Sequence, residues 1–152
     1  MAYLQVNVVT PDGIAFQHRA KAVTATTTDG GITIMPNHTP IIVPLAIADL
    51  IVTRVTDELA QNHIAVNGGI MEVRDNVVNI IANSAERARD IDIDRAEVAK
   101  ERAEKRMAEA RDFKNEKEFQ RAKISLSKAI NRIGVSKNRS NLEKEAIVGL
   151  FF

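Results

Sequence analysis

The chain contains no cysteine and no tryptophan. Without thiols there is no disulfide, no thiolate metal site and no cysteine nucleophile. Aromatic residues make up only 4% of the 152 residues, too few for a platform on which single-stranded nucleic acid could stack. No apolar run approaches the ~18 residues that a membrane-spanning helix needs. The opening Met1-Ala2-Tyr3-Leu4-Gln5-Val6 lacks the basic-then-apolar pattern of a secretory signal, and it is not an Arg- and Ser-rich transit peptide. His18, His38 and His63 have no metal-ligand spacing and read as surface or turn residues. Gly30-Gly31 and Gly68-Gly69 make neither a dinucleotide fingerprint nor a phosphate loop, and Ser84 has no nucleophile-elbow context. With no general base, nucleophile or metal cluster in view, a non-catalytic role is expected.

What is present divides near residue 90. Before it, short apolar runs are cut by Gly, Pro and Asn; after it, the chain is Ala-rich and charged, and no proline follows Pro44. Residues 1–94 carry 6 basic and 11 acidic side chains, net −5, whereas residues 95–152 carry 15 and 9, net +6. A basic arm on an acidic body suits an acidic partner. Leu4, Val6 and Val8 alternate with polar residues, the period of a half-buried strand. Pro11-Asp12-Gly13, Asp29-Gly30-Gly31, Asn67-Gly68-Gly69 and Arg74-Asp75-Asn76 read as turns. Pro44 within the apolar run from Ile41 to Leu50 argues for an edge or a bend. Short strands with turn signals every eight to twelve residues indicate a sandwich or flattened barrel.

From Asp94 the period becomes helical, with Asp94 as expected cap and Glu97 three residues later. Ala96, Ala99, Ala103, Met107 and Ala110 form one thin stripe that lets a neighbouring helix approach closely but buries little area, and is expected to hold the hairpin only weakly against the body. Arg111 to Asn115 reads as a connection. Phe119, Ala122, Leu126, Ala129, Ile130 and Ile133 mark the face of a second helix, which Gly134 is placed to end. The expected fold class is α+β: a β-sandwich or flattened barrel over residues 1–88, an antiparallel two-helix hairpin over 89–134, and an unassigned extension over 135–152.

Several ordered segments resemble the epsilon subunit of bacterial F-type ATP synthase over about residues 1–133. These are Val8-Val9-Thr10-Pro11-Asp12-Gly13, Ile34-Met35-Pro36-Asn37-His38-Thr39-Pro40-Ile41, Ala65-Val66-Asn67-Gly68-Gly69-Ile70-Met71-Glu72-Val73 and the junction Asp90-Ile91-Asp92. Gly31 and Thr33 depart from the Glu and Gly usual there. The resemblance implies a non-catalytic rotor part, peripheral on the cytoplasmic face of the bacterial cell membrane and touching the membrane only through its complex. It implies a sandwich that binds the gamma subunit and the c-ring, coupling proton flow to ATP synthesis. It also implies an arm that can reach acidic loops of the catalytic subunits and brake ATP hydrolysis.

Ile91-Asp92-Ile93-Asp94-Arg95-Ala96 fits the Ile/Leu-Asp-x-x-Arg-Ala motif of members that bind regulatory ATP in the folded-down arm. By that resemblance the site comprises Glu86, Ile91, Asp92, Arg95, Ala96, Arg102, Lys128 and Arg132. Arg95, Arg102 and Arg132 would contact phosphate. Glu86 would lie near adenine, with Asp92 on the adenine amino group or capping the helix. Lys128 supplies a point charge where the family has a forked Arg. No other cofactor and no metal are implied. Two alternatives stand beside this reading. One is a stalk clamp without nucleotide. The other is a nucleic-acid adaptor, disfavoured because Glu97, Glu101, Glu104 and Glu109 would face phosphates.

Overall fold

A computed structural model describes the backbone of residues 2–55 and 61–151, with side chains through residue 138. Its strands are β1 (Leu4–Thr10), β2 (Gly13–Thr27), β3 (Gly30–Ile34), β4 (Ile41–Arg54), β5 (Gln61–Arg74), β6 (Val77–Ala82) and β7 (Ala85–Arg87). A 3-10 turn over Ala88–Asp90 leads to helices α1 (Ile93–Asp112) and α2 (Glu116–Phe151). The fold is therefore a β-sandwich or flattened barrel followed by two helices. The strand path β1-β6-β5-β4-β2-β3 is closed by a further β1–β2 pairing, so β1 has neighbours on both sides. The β1–β6 pair is parallel, and β7 adds onto the upper half of β5.

The period-2 reading of β1 holds. Leu4, Val6 and Val8 are wholly buried, and they pack with Val23, Leu50, Val52, Ile64, Met71, Val73, Val78 and Ile80 in one core. Turn chemistry also holds at the hairpins. Asp75 and Asn76 both take positive φ (50° and 62°), as a two-residue hairpin turn requires. The Asn76 Oδ1 accepts from the Asn37 N–H at 2.6 Å, tying the Pro36–Pro40 loop to that hairpin. Pro44 lies inside β4, and its carbonyl accepts from Thr28 N–H just beyond the end of β2. Its missing N–H therefore faces a place where pairing has stopped, the edge-like position that proline demands.

Separate apolar runs join into long strands. Ile64–Val66 and Met71–Val73 belong to β5 alone, so Asn67-Gly68-Gly69 is not the turn expected from sequence. It is a bend where β5 leaves β7 and takes up β6. Gly68 and Gly69 have φ of 81° and 143°, and a Cβ on Gly69 would collide with the Ile81 carbonyl oxygen. The close approach of β6 is what requires glycine there.

The helical hairpin keeps the expected connection near Arg111 to Asn115 and departs from expectation elsewhere. Asp92, not Asp94, caps α1, its Oδ1 accepting from Arg95 N–H at 3.1 Å. The alanine stripe faces the other helix and not the body: Ala96, Ala103 and Ala110 are buried together with Ala122 and Ala129. Those side chains let two antiparallel helices approach closely, while Ile130 points outward, 51% exposed. The connection is a Schellman motif, with Lys114 at φ 53°, Asn115 N–H on Ala110 O at 2.8 Å and Lys114 N–H on Arg111 O at 3.1 Å. Finally, Gly134 does not end α2, which continues to Phe151. At 1.5 Å per residue this 36-residue helix is about 54 Å long. The side chains of the apolar terminus 147–152 lie outside the described residues.

The second half of α2 docks the arm on the body. Val135 is buried against Ala65, Ala88 and Ile91. Asn131 Nδ2 donates to the Val66 carbonyl at 3.3 Å, and Arg132 Nε meets Glu86 Oε1 at 2.8 Å. This small mixed interface sets the geometry of everything at the junction.

Candidate functional site

Where β7, the 3-10 turn and both helices meet, a cleft of about 490 Å³ opens. That volume lies within the range of small-molecule sites. It is lined by Glu86, Asp90, Asp92, Arg95, Arg102 and Arg132, with Ala96, Val98 and Ala99 beneath. Each polar group comes from a different local cause. Glu86 stands on a three-residue strand held by Ala65 of β5. Asp92 is fixed as a helix cap. Arg95 and Arg102 are seven residues apart, so two helical turns put them on one face about 10 Å apart along α1. Arg132 reaches in from α2, where Val135 anchors the next turn.

Six of the eight residues expected from sequence therefore line one cleft: Glu86, Asp92, Arg95, Ala96, Arg102 and Arg132. Two do not. Ile91 is turned into the apolar cluster with Ala65, Ala88 and Val135, where it seals the hinge. Lys128 is half-buried on α2, one turn before Arg132, and is not among the lining residues. Asp90, Val98 and Ala99 were not anticipated. Ala99 could have been found, because it lies one turn after Arg95 on the same face.

The charges in the cleft are unequally committed. Asp90 pairs with Arg87 at 2.8 Å, and Glu86 pairs with Arg132 at 2.8 Å. Asp92 serves the helix end. Among the described residues, no acceptor engages the guanidinium of Arg95 or Arg102. Two uncommitted forked cations beside a helix N-terminus give a cleft able to accept a polyanion. Because body and both helices contribute walls, the cleft is complete only with the arm docked.

A second surface lies on the barrel. Pro44, Ile70, Ile81, Val9 and Ile14 are successive cross-strand partners on β4, β5, β6, β1 and β2. They form an exposed apolar row, with Ile14, Ile81 and Ile70 at 65%, 63% and 50% exposure. Such a contiguous row marks a contact surface. His63, read from sequence as a surface or turn residue, is instead nearly buried on β5 against Asp49.

A small barrel closed by its first strand carries a docked helical hairpin with an anion-accepting cleft at the hinge, a two-part architecture of sandwich and helical arm. Comparison with known proteins gives the family. Residues 3–88 match the ATP synthase delta/epsilon chain β-sandwich domain, and residues 89–137 match the delta/epsilon chain long α-helix domain. The chain belongs to the delta/epsilon chain family of ATP synthases, a family of central-stalk subunits. Among solved structures it is similar to a chain of the Euglena gracilis mitochondrial ATP synthase, OSCP/F1/c-ring in rotational state 1. The TM-score is 0.70, at 22% identity over 84% of this chain and 77% of that one. A chain of the Tetrahymena thermophila mitochondrial ATP synthase central stalk/c-ring aligns at 19% identity over 57% of this chain and 67% of that one, with a TM-score of 0.45. At such identities the likeness to the Euglena chain speaks for the fold alone. Among the described residues, no helix is long and apolar enough to cross a membrane.

Proposed function

We propose that this chain is a non-catalytic rotor subunit of a proton-driven ATP synthase whose helical arm senses ATP and restrains ATP hydrolysis. The observation that carries the sensing role is the cleft itself. Arg95 and Arg102 of α1, Arg132 of α2 and Glu86 of β7 converge only when the arm lies on the body. A ligand bound there interacts with the docked state and not with the lifted one. It therefore shifts the population toward docking, by ~2.7 kcal/mol at a hundred times its dissociation constant. Within the assembled complex, with ATP scarce, the catalytic subunits compete for the arm: it lifts, extends along the shaft and presents its net positive surface to their acidic loops. The brake is then on.

The apolar row on the barrel is the surface we assign to the gamma subunit, with the c-ring as the barrel's second partner. On this reading the chain works at the cytoplasmic face of a bacterial membrane, held there by its complex. The test is co-assembly: Ile81→Glu places a charge in the middle of the row, at a side chain that is 63% exposed. The variant should stay folded and fail to co-purify with gamma; retention of gamma would remove the docking assignment. A purely mechanical clamp is the second reading. It is favoured by one feature, that Arg132 is already neutralised by Glu86. Calorimetry with ATP separates the two, since a clamp gives no binding heat.

A further inference from the structure

Away from the cleft, three polar side chains from three elements meet beneath α2. His63 Nδ1 lies 2.6 Å from Asp49 Oδ2, and Asn138 Nδ2 donates to the same Asp49 oxygen at 3.1 Å. The Asn138 amide also sits 3.4 Å from His63 Nδ1. The His63 and Asp49 side chains are only 10% and 23% exposed. Asp49 Oδ1 is buried and has no partner among the described residues. The carboxylate thus depends on two donors crowded onto one oxygen, and one of them belongs to the arm.

We infer that Asp49, His63 and Asn138 form a nucleotide-independent latch that holds the arm on the barrel at rest. The bolt is the part of α2 beyond Gly134, which the sequence leaves unassigned. Val135 enters the apolar cluster of the hinge, Ser136 is buried, and Asn138 reaches the carboxylate. β4 and β5 fix the receiving pair, because Asp49 and Ala65 are register partners and His63 stands two residues before Ala65 on the same face. When the arm lifts, the carboxylate exchanges its arm-borne donor for water, so docking keeps the net advantage of a hydrogen bond to a charged group. Glu86 and Arg132 lie elsewhere, on β7 and an earlier turn of α2, so the latch and the nucleotide cleft act on the same motion through separate contacts.

The chain has no native cysteine, so dyes can be attached specifically. Asp29→Cys marks the exposed β2–β3 turn, and Phe113→Cys marks the hairpin tip, which is 84% exposed. Energy transfer between them in the full chain without nucleotide reads the docked-to-open ratio. Wild type should be mostly docked. Asn138→Ala should shift the ratio toward open about tenfold, the scale of a hydrogen bond to a charged group. Alanine is the better helix former, so opening cannot be blamed on a weakened helix. Gln120→Ala, on α2 far from the barrel, should change nothing. In an Asp49→Ala background, Asn138→Ala should have no further effect. An unchanged ratio in Asn138→Ala, an additive effect in the double variant, or an open wild type would each overturn the latch.

Discussion

Removing the Arg95 side chain separates binding from folding more cleanly than any other change. Its guanidinium has no acceptor among the described residues, and its backbone, not its side chain, is engaged by the Asp92 cap. Arg95→Ala should therefore leave the nucleotide-free chain within ~0.5 kcal/mol of wild type in denaturant unfolding. The cost appears only with ligand. A charge-assisted hydrogen bond contributes about 1.5–3 kcal/mol when well buried. Arg95 is exposed, so we discount this to about 1–2 kcal/mol, a five- to thirtyfold loss of ATP affinity. Arg95→Lys keeps the charge but not the fork, and should fall between. Isothermal calorimetry on the three proteins gives the answer. Wild-type binding with equal affinity in Arg95→Ala would refute the assignment of this residue to phosphate. A large loss of stability in the variant without ATP would refute the claim that its side chain is uncommitted.

Three other outcomes follow from local geometry. Gly134→Ala should stabilise the chain by ~1 kcal/mol in chemical denaturation, because the residue is mid-helix and a Cβ there meets nothing within 4 Å. Gly69→Ala should destabilise the barrel by more than ~2 kcal/mol, or prevent its folding, since the Cβ meets the Ile81 carbonyl at a φ of 143°; a melt like that of wild type would contradict the reading of the β5 bend. The hydrogen bond from Arg106 holds the Glu118 carboxyl below its ordinary value of 4.5, partial burial opposes this, and the Arg106 and Arg121 charges add to it. A lowered folded-state value means stabilisation that is present above the unfolded value and lost as pH falls through the folded one. The hairpin tip should therefore loosen on acidification below about pH 4.5, and Glu118→Gln should flatten that response in hydrogen exchange at the tip.

The parts legible in the sequence are those decided locally. Alternation in β1 reports one buried face, and the Asp75-Asn76 pair carries its own turn preference. The family pattern implies eight site residues, and six of them, Glu86, Asp92, Arg95, Ala96, Arg102 and Arg132, meet in one cleft because the helix spacing of α1 and the docking of α2 bring them to one hinge. What was not legible depends on distant partners. Gly68-Gly69 looks like a turn until one knows that β5 exchanges β7 for β6 at that point. Gly134 looks like a helix end because its own propensity is poor, yet Val135 and Asn138 beyond it find partners on the body that carry the helix onward. His63 looks idle because its partners are 14 and 75 residues away in the chain. Ile91 fits the motif, but its apolar side chain is worth more in the hinge cluster than in a polar cleft.

The central claim is that the polyanion cleft exists only in the docked arm. Titrating ATP into the doubly labelled Asn138→Ala chain, whose arm is weakened at the latch, tests it most directly. The docked fraction should rise with ATP and saturate at the concentration that calorimetry gives for binding. ATP that binds while leaving the arm where it was, or that drives it open, would contradict the account.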